Sequence, residues 1–287
     1  MKQADTETKK SRWADLGPRL LSAMVLLPLT ALLLYLGDVW FAALVGLVFA
    51  GVYREWEIML GVGKLAKYGY VLVGFIALSA IAFPVSGIVG VSIIIITAII
   101  FAILTHVFAK LSLSLLLWRI AGLVYFGAVI IAILSIRTNI SLGIVAGVFL
   151  ATSVWMTDTG AFFAGRYIGG AKLSPDISPS KTWSGALGGL IVGALSGSLV
   201  WLIAVPSAWW IGLLLAGVLS LSGQLGDLLE SAIKRRFKIK DSSDLIPGHG
   251  GLLDRLDSLT LASLVLFIIG FLNSGELEHI TIGFLIW

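Results

Sequence analysis

The stretch SGIVGVSIIIITAIIFAILTH, from Ser86 to His106, contains no acidic residue, no lysine and no arginine. As a helix rising 1.5 Å per residue it would be about 30 Å long, the thickness of bilayer hydrocarbon. Its apolar residues run continuously instead of alternating, so it reads as a helix and not as a barrel strand. Working outward, comparable runs occupy residues 20–36, 38–58, 68–83, 116–136, 141–157, 185–205, 208–227 and 257–273. With 86–106 they make about nine spans. The expected fold class is an all-α, polytopic transmembrane helical protein.

Composition agrees. Of 287 residues 58% are apolar and 13% charged, against roughly 45–50% and about 25% in soluble domains. The absence of cysteine excludes disulfide frameworks and thiolate metal sites. The run from Leu20 to Leu36 is long, with no clear small-residue cleavage site after it. It therefore reads as a retained first span instead of a secretory signal. Ile280 to Trp287 is apolar but too short to cross. The expected division is a polar tail over 1–19, spans one to five over 20–137, and spans six to nine over 138–287.

Charge sets the orientation. Nineteen of the 20 Lys and Arg residues fall in the N-terminal tail or in the even-numbered connections, and Arg137 alone falls on the other side. Basic loops stay in the cytoplasm. The expectation is a cytoplasmic N-terminus and an outside C-terminus, in a bacterial-type inner (plasma) membrane. Trp40, Trp118, Trp183, Trp209 and Trp210 lie near span ends, as interfacial belts or lipid-facing residues do.

Polar residues of the second half gather at the cytoplasmic span ends, where three clusters stand out. The first is Thr157, Asp158, Thr159 and Gly160, with Gly165, Arg166, Gly169 and Gly170, read as a span end whose glycines let the backbone turn. The second is Ser178, Pro179, Ser180, Lys181, Thr182 and Trp183. Lys181 is a candidate phosphate contact, although a basic residue before a helix also serves as a topology anchor. The third runs from Asp227 through Glu230, Ser231, Lys234 and Arg235, past Lys240, Asp241, His249, Gly250 and Gly251, to Asp254, Arg255 and Asp257. Asp227, Glu230, Ser231 and Lys234 share one helical face by their spacing. From Asp227 to Asp257 there are six anions and six cations. A lipid-headgroup patch would be cationic overall. Equal numbers fit carboxylates that hold a cation beside bases that hold phosphates; the plain alternative is a solvated loop of surface ion pairs.

The segments Ser231-Ala-Ile-Lys234-Arg235, Lys240-Asp241, Pro247-Gly-His249-Gly250-Gly251 and Asp254-Arg255-Leu256-Asp257 resemble the signature of the phosphatidate cytidylyltransferase family, with no departure over 27 positions. The Asp158 segment and Ser178-Pro-Ser-Lys181-Thr182 resemble its other motifs. The N-terminal half resembles the family only in being several apolar helices. The resemblance implies that phosphatidate attacks the α-phosphorus of CTP, giving CDP-diacylglycerol and pyrophosphate in phospholipid biosynthesis. It implies Mg²⁺, with a second cation left open, a membrane-embedded site facing the cytoplasm, and a homodimer. Asp227 and Asp254 become the expected metal ligands. Asp227, Asp254, Lys234, Arg235, Asp241 and His249 are the candidate catalytic residues. Asp158, Ser178, Lys181, Thr182, Ser231, Lys240, Gly250, Gly251, Arg255 and Asp257 are the candidate substrate contacts. His249 reads equally as an assisting base or as a turn residue that touches phosphate. His106 and His279 receive no role. The partners expected are CTP, phosphatidate and membrane lipids, with no nucleic acid. The alternatives are another CTP-dependent membrane enzyme, such as a lipid or polyprenol kinase, and, from a different class, a transporter. No internal repeat is visible and the charges gather at one face, which argues against transport.

Overall fold

The computed structural model describes residues 28, 31–61, 65–243 and 250–287. The polar tail, most of the run 20–36, and Asp244, Pro247, Gly248 and His249 lie outside these residues. The chain is mostly helical. Its helices are α1 (Asp38–Leu60), α2 (Lys67–Ala109), α3 (Leu113–Ile136), α4 (Ile140–Tyr167), α5 (Trp183–Ala204), α6 (Trp209–Arg236), α7 (Leu253–Ser274) and α8 (Ile280–Leu285). Among the described residues seven helices, α1 to α7, are long and apolar enough to cross a membrane.

The ends of these helices follow local chemistry. Ser112, Asn139 and Thr182 precede α3, α4 and α5, and each side chain accepts a hydrogen bond from a backbone N–H of the first turn. Those donors have no partner within the helix. Gly275 stops α7 in the left-handed conformation, which glycine adopts at low cost.

The runs 68–83 and 86–106 form one helical element, α2, whose backbone breaks at Gly87 with φ 57° and ψ −149°. That conformation is open essentially to glycine alone. Phe75 and Phe101 stand with ring centroids 6.0 Å apart, whereas a straight helix would separate them by about 39 Å. The two arms therefore fold back on each other.

Two apolar cores result. One joins α1, both arms of α2, and α3, through Phe49, Tyr53, Trp56, Leu72, Ile95 and Phe126, and includes Leu253 of α7. The other joins the end of α3 to α4, α5, α6, α7 and α8, through Phe149, Trp201, Leu219, Leu266 and Phe284. In this second region α5 presents Gly185, Gly189, Gly193 and Gly197 at four-residue intervals, all buried. A Cβ on Gly189 would stand 2.7 Å from the Thr157 carbonyl oxygen, and one on Gly193 2.8 Å from that of Ser153. Small residues let helices approach closely in lipid, where packing replaces the hydrophobic drive. Thr157 Oγ1 adds 2.7 Å hydrogen bonds to the Ser153 carbonyl and to Ser220 Oγ, tying α4 to α6.

Several sequence expectations need correction. The chain is not wholly helical: β1 (Lys172–Ser174) and β2 (Ser178–Thr182) pair as an antiparallel hairpin. α4 and α6 continue past 157 and 227, to Tyr167 and Arg236. Asp158, Gly160 and Gly165 thus lie on a helix, where Gly160 packs on Val192 and Gly165 on Thr182 and Gly185; only Gly169 and Gly170 turn the chain, at positive φ. Trp118 is no belt residue. Its ring packs between Trp56 and Phe237, while Trp40, Trp183, Trp209 and Trp210 are exposed. Arg119, counted among the basic residues of the even-numbered connections, is buried and pairs with Glu57 at 3.0 Å.

Candidate active site

The site lies where the α4 end, the β-hairpin, the α5 start, the lower half of α6 and the α7 start converge. A cleft of about 580 Å³ is lined by Asp158, Arg166, Ser180, Lys181, Gln224 and Asp227, among others. Asp227 sits on α6 and Lys181 on β2, with Lys181 Nζ 2.7 Å from Asp227 Oδ2. Both are partly exposed to the cleft. Ser231, one turn along α6, leans on Asp227 Oδ1 at 3.4 Å, a weak contact at best. Thr182 lines the cleft, where its Oγ1 accepts from the Gly185 N–H at 3.1 Å at the start of α5 and lies 3.0 Å from Ser184 Oγ. Gln224 donates to the Ala186 carbonyl at 3.2 Å, bridging α6 to α5.

Around the side of α6 a second charged group assembles. Lys234 Nζ lies 2.5 Å from Asp254 Oδ1 and 3.2 Å from Glu230 Oε1. The expected common face of Asp227, Glu230, Ser231 and Lys234 thus divides: Asp227, with Ser231 against it, lines the cleft, and Glu230 pairs with Lys234, which reaches Asp254 of α7. Asp254 occupies the first turn of α7, where a negative charge meets unpaired N–H groups. Its other oxygen, Oδ2, accepts from Ser242 N at 3.0 Å and Ser242 Oγ at 2.9 Å. Glu230 and Asp257 also line a smaller pocket of about 200 Å³, with Trp56, Trp118, Tyr125 and Thr260.

The remaining candidates take other places. Arg235 donates to the carbonyls of Ile177 and Ile239, at 3.2 and 3.3 Å, so it fastens the β-hairpin tip and the following loop to α6. Ser178 opens β2. Lys240, Asp241 and Arg255 are exposed. Gly250 has φ +79°, and Gly251 is packed against the Asp254 carboxylate.

A divalent ion such as Mg²⁺ needs oxygen donors bearing excess negative charge. The residues present fit that need. Asp158 lies within the electrostatic reach of Asp257 and Asp227, with Lys181 offsetting them. Ammonium groups now neutralise Asp227 and Asp254, each from a different lysine. Glu230, buried, meets the Lys234 ammonium through Oε1 at 3.2 Å, an ion pair without hydrogen-bond geometry. Among those residues no three acidic or imidazole side chains converge to hold an ion unaided.

Sequence reasoning missed one residue of this region. Glu55, on α1 and wholly buried, accepts from Ser242 Oγ at 2.9 Å, Ser243 Oγ at 2.5 Å, Leu252 N at 2.9 Å and Leu253 N at 2.8 Å. The only signal for it is an acidic residue at the end of an apolar run, which nothing local distinguishes from a loop charge.

Comparison with known proteins adds an independent finding. The family model described as the cytidylyltransferase family matches residues 18–272. A phosphatidate cytidylyltransferase of Brucella suis is 46% identical over 154 residues, 53% of this chain and 57% of that protein. The Bacillus subtilis protein of the same name is 39% identical over 150 residues, 52% of this chain and 54% of its own length. That of Staphylococcus saprophyticus is 48% identical over 122 residues, 42% and 44% of the two chains. The chain thus spans about half the length of the curated relatives it matches.

Proposed function

The chain belongs to the cytidylyltransferase family, and from that premise we propose that it is a phosphatidate cytidylyltransferase, converting CTP and phosphatidate to CDP-diacylglycerol and pyrophosphate. The observation that carries this reading is the Lys181–Asp227 pair on the wall of a cleft shared with Asp158 and Arg166. It combines anion-binding and cation-binding groups beside a lipid-facing helix surface, where Phe162 and Trp183 are exposed.

In the proposed reaction a phosphate oxygen of phosphatidate forms a bond to the α-phosphorus of CTP. The bond from that phosphorus to the bridging oxygen breaks, and pyrophosphate leaves. A phosphate monoester is largely ionised near neutrality, with a second pKa near 6, so no strong base is required. The enzyme's work is then positioning and charge neutralisation. Lys181 and Arg166 would meet substrate phosphates within the cleft, Lys181 by releasing Asp227. Lys234 would hold Asp254 in place while remaining near the developing charge. Asp227 and Asp254 would hold Mg²⁺ together with substrate oxygens, and the ion would supply charge neutralisation at the transferring phosphoryl group.

The same proposal includes nine spans, a cytoplasmic N-terminus, an outside C-terminus and a site at the inner-membrane surface facing the cytoplasm. Support comes from the distribution of Lys and Arg and from the doubling back of α2 at Gly87. A homodimer rests on the resemblance alone.

The decisive experiment incubates purified protein with Mg²⁺, phosphatidate and CTP labelled in the cytidine. Label in an organic-soluble liponucleotide, with pyrophosphate released, is the expected result. Transfer of the γ-phosphate to lipid, leaving labelled CDP in water, would make the protein a lipid kinase instead.

A further inference from the structure

We propose that Glu55 is a positioning residue for the reaction: from α1, in the half of the chain without the signature motifs, it locks Ser242, Ser243 and the start of α7, and so fixes the Asp254 carboxylate. The inference rests on the reading of Asp254 as part of the active site.

The geometry carries it. An ionised carboxylate offers about four lone-pair sites. Glu55 fills them with four donors, one hydroxyl and one backbone N–H on each oxygen: Ser243 Oγ and Leu252 N on Oε1, Ser242 Oγ and Leu253 N on Oε2. It has no lone pair left for a metal or a phosphate, so it acts through its neighbours. The two N–H groups belong to Leu253, the first residue of α7, and to Leu252 before it, whose donors no helical carbonyl can reach. The two serines follow α6 in the chain. One buried charge thereby ties Ser242 and Ser243 to the start of α7.

Asp254 is bound to the same lock. The single Ser242 hydroxyl proton is shared between two acceptors, Oγ lying 2.9 Å from both Glu55 Oε2 and Asp254 Oδ2, and Ser242 N holds the same Asp254 oxygen at 3.0 Å. Asp254 Oδ1 meets Lys234. The chain of contacts runs from Glu55 through Ser242 and Asp254 to Lys234. Gly251 completes it. A Cβ there would collide with Ser242 Oγ and stand 2.8 Å from Asp254 Oδ2 and 3.0 Å from Glu55 Oε2. The second glycine of the pair is therefore needed for close approach to the two carboxylates. A general structural role for Glu55 is less economical, because α1 already packs on α3 through Trp56, whose Nε1 donates to the Trp118 carbonyl at 3.1 Å, and through the Glu57–Arg119 pair.

The test compares the full chain with Glu55→Gln and Ser243→Ala in the same detergent. Glutamine keeps the shape but turns one acceptor into a donor that faces a backbone N–H. For Glu55→Gln the expected result is a 10- to 100-fold fall in kcat with KM for CTP within twofold, a several-fold rise in the Mg²⁺ concentration giving half-maximal rate, and faster amide hydrogen exchange confined to residues 250–256. Ser243→Ala removes one donor of four and is expected to lower kcat two- to fivefold, with the same local exchange. Unchanged exchange at 250–256 in both variants overturns the proposal. So does loss of protection across all helices in both variants, which would mean a general fold contact. Should the wild-type protein form no liponucleotide, the functional reading fails, while the exchange measurement still decides whether Glu55 holds this connection.

Discussion

The two cores solve the same packing problem by opposite means. The N-terminal one interlocks large side chains: Phe126 meets Phe49, Tyr53 and Trp56 at centroid distances of 5.7 to 6.2 Å. The C-terminal one brings backbones together through the glycine face of α5, and hydroxyls such as Thr157 and Ser220 bond across the gap. Large rings fill space and tolerate small shifts at the edges. A glycine seam allows few alternatives, because each backbone is itself the neighbour. The cleft residues ride on the seam, with Asp158 on α4, Lys181 just before α5 and Asp227 on α6. The close-packed half carries the cleft residues, and the aromatic half packs beside it.

The largest test of that contrast is chemical. Asp227→Asn should reduce liponucleotide formation by about four orders of magnitude, roughly 5 kcal/mol of transition-state stabilisation, while the melting temperature in detergent stays within a few degrees. A similar loss of both would place Asp227 in the scaffold. Next comes the aromatic half. Phe126→Ala should cost about 2–4 kcal/mol in stability, since the cavity remains even where lipid removes much of the transfer term. Its kcat, measured well below the melting transition, should stay near wild type. Lys181→Ala should lower kcat/KM by about 10- to 100-fold, mostly through KM, as expected of a charged hydrogen bond to phosphate. Unchanged kinetics would make Lys181 a topology anchor. The smallest effect should come from Gly193→Ala, about 1–3 kcal/mol of overpacking strain. It should lower stability and turnover together, in contrast to Phe126→Ala, because the seam sets the spacing of α4 and α5.

Much of this was legible before any coordinates. The pairs Asp227–Ser231 and Glu230–Lys234 follow from four-residue spacing on a helix. The glycines of α5 repeat every fourth position, a spacing that marks a close-packing face. The β-hairpin was hidden, since Ser178-Pro179-Ser180 has neither alternation nor β-branched residues until Thr182. Glu55 was beyond reach for a different reason. Its partner Ser242 is 187 residues away, and a single buried acid has no local signature. The depth of Arg119 was invisible on the same ground, because only its distant partner Glu57 makes burial tolerable.

The break at Gly87 bears on how the chain enters the bilayer. Between Lys67 and Lys110 no lysine, arginine or carboxylate interrupts α2, so neither arm offers a fixed charge for the insertion machinery to retain. The two arms would be threaded as one hairpin, anchored by the lysines at its feet, with Gly87 as the bend at its crest. A branched residue at that crest would burden biogenesis before it touched catalysis, and the defect would show first as poor membrane yield.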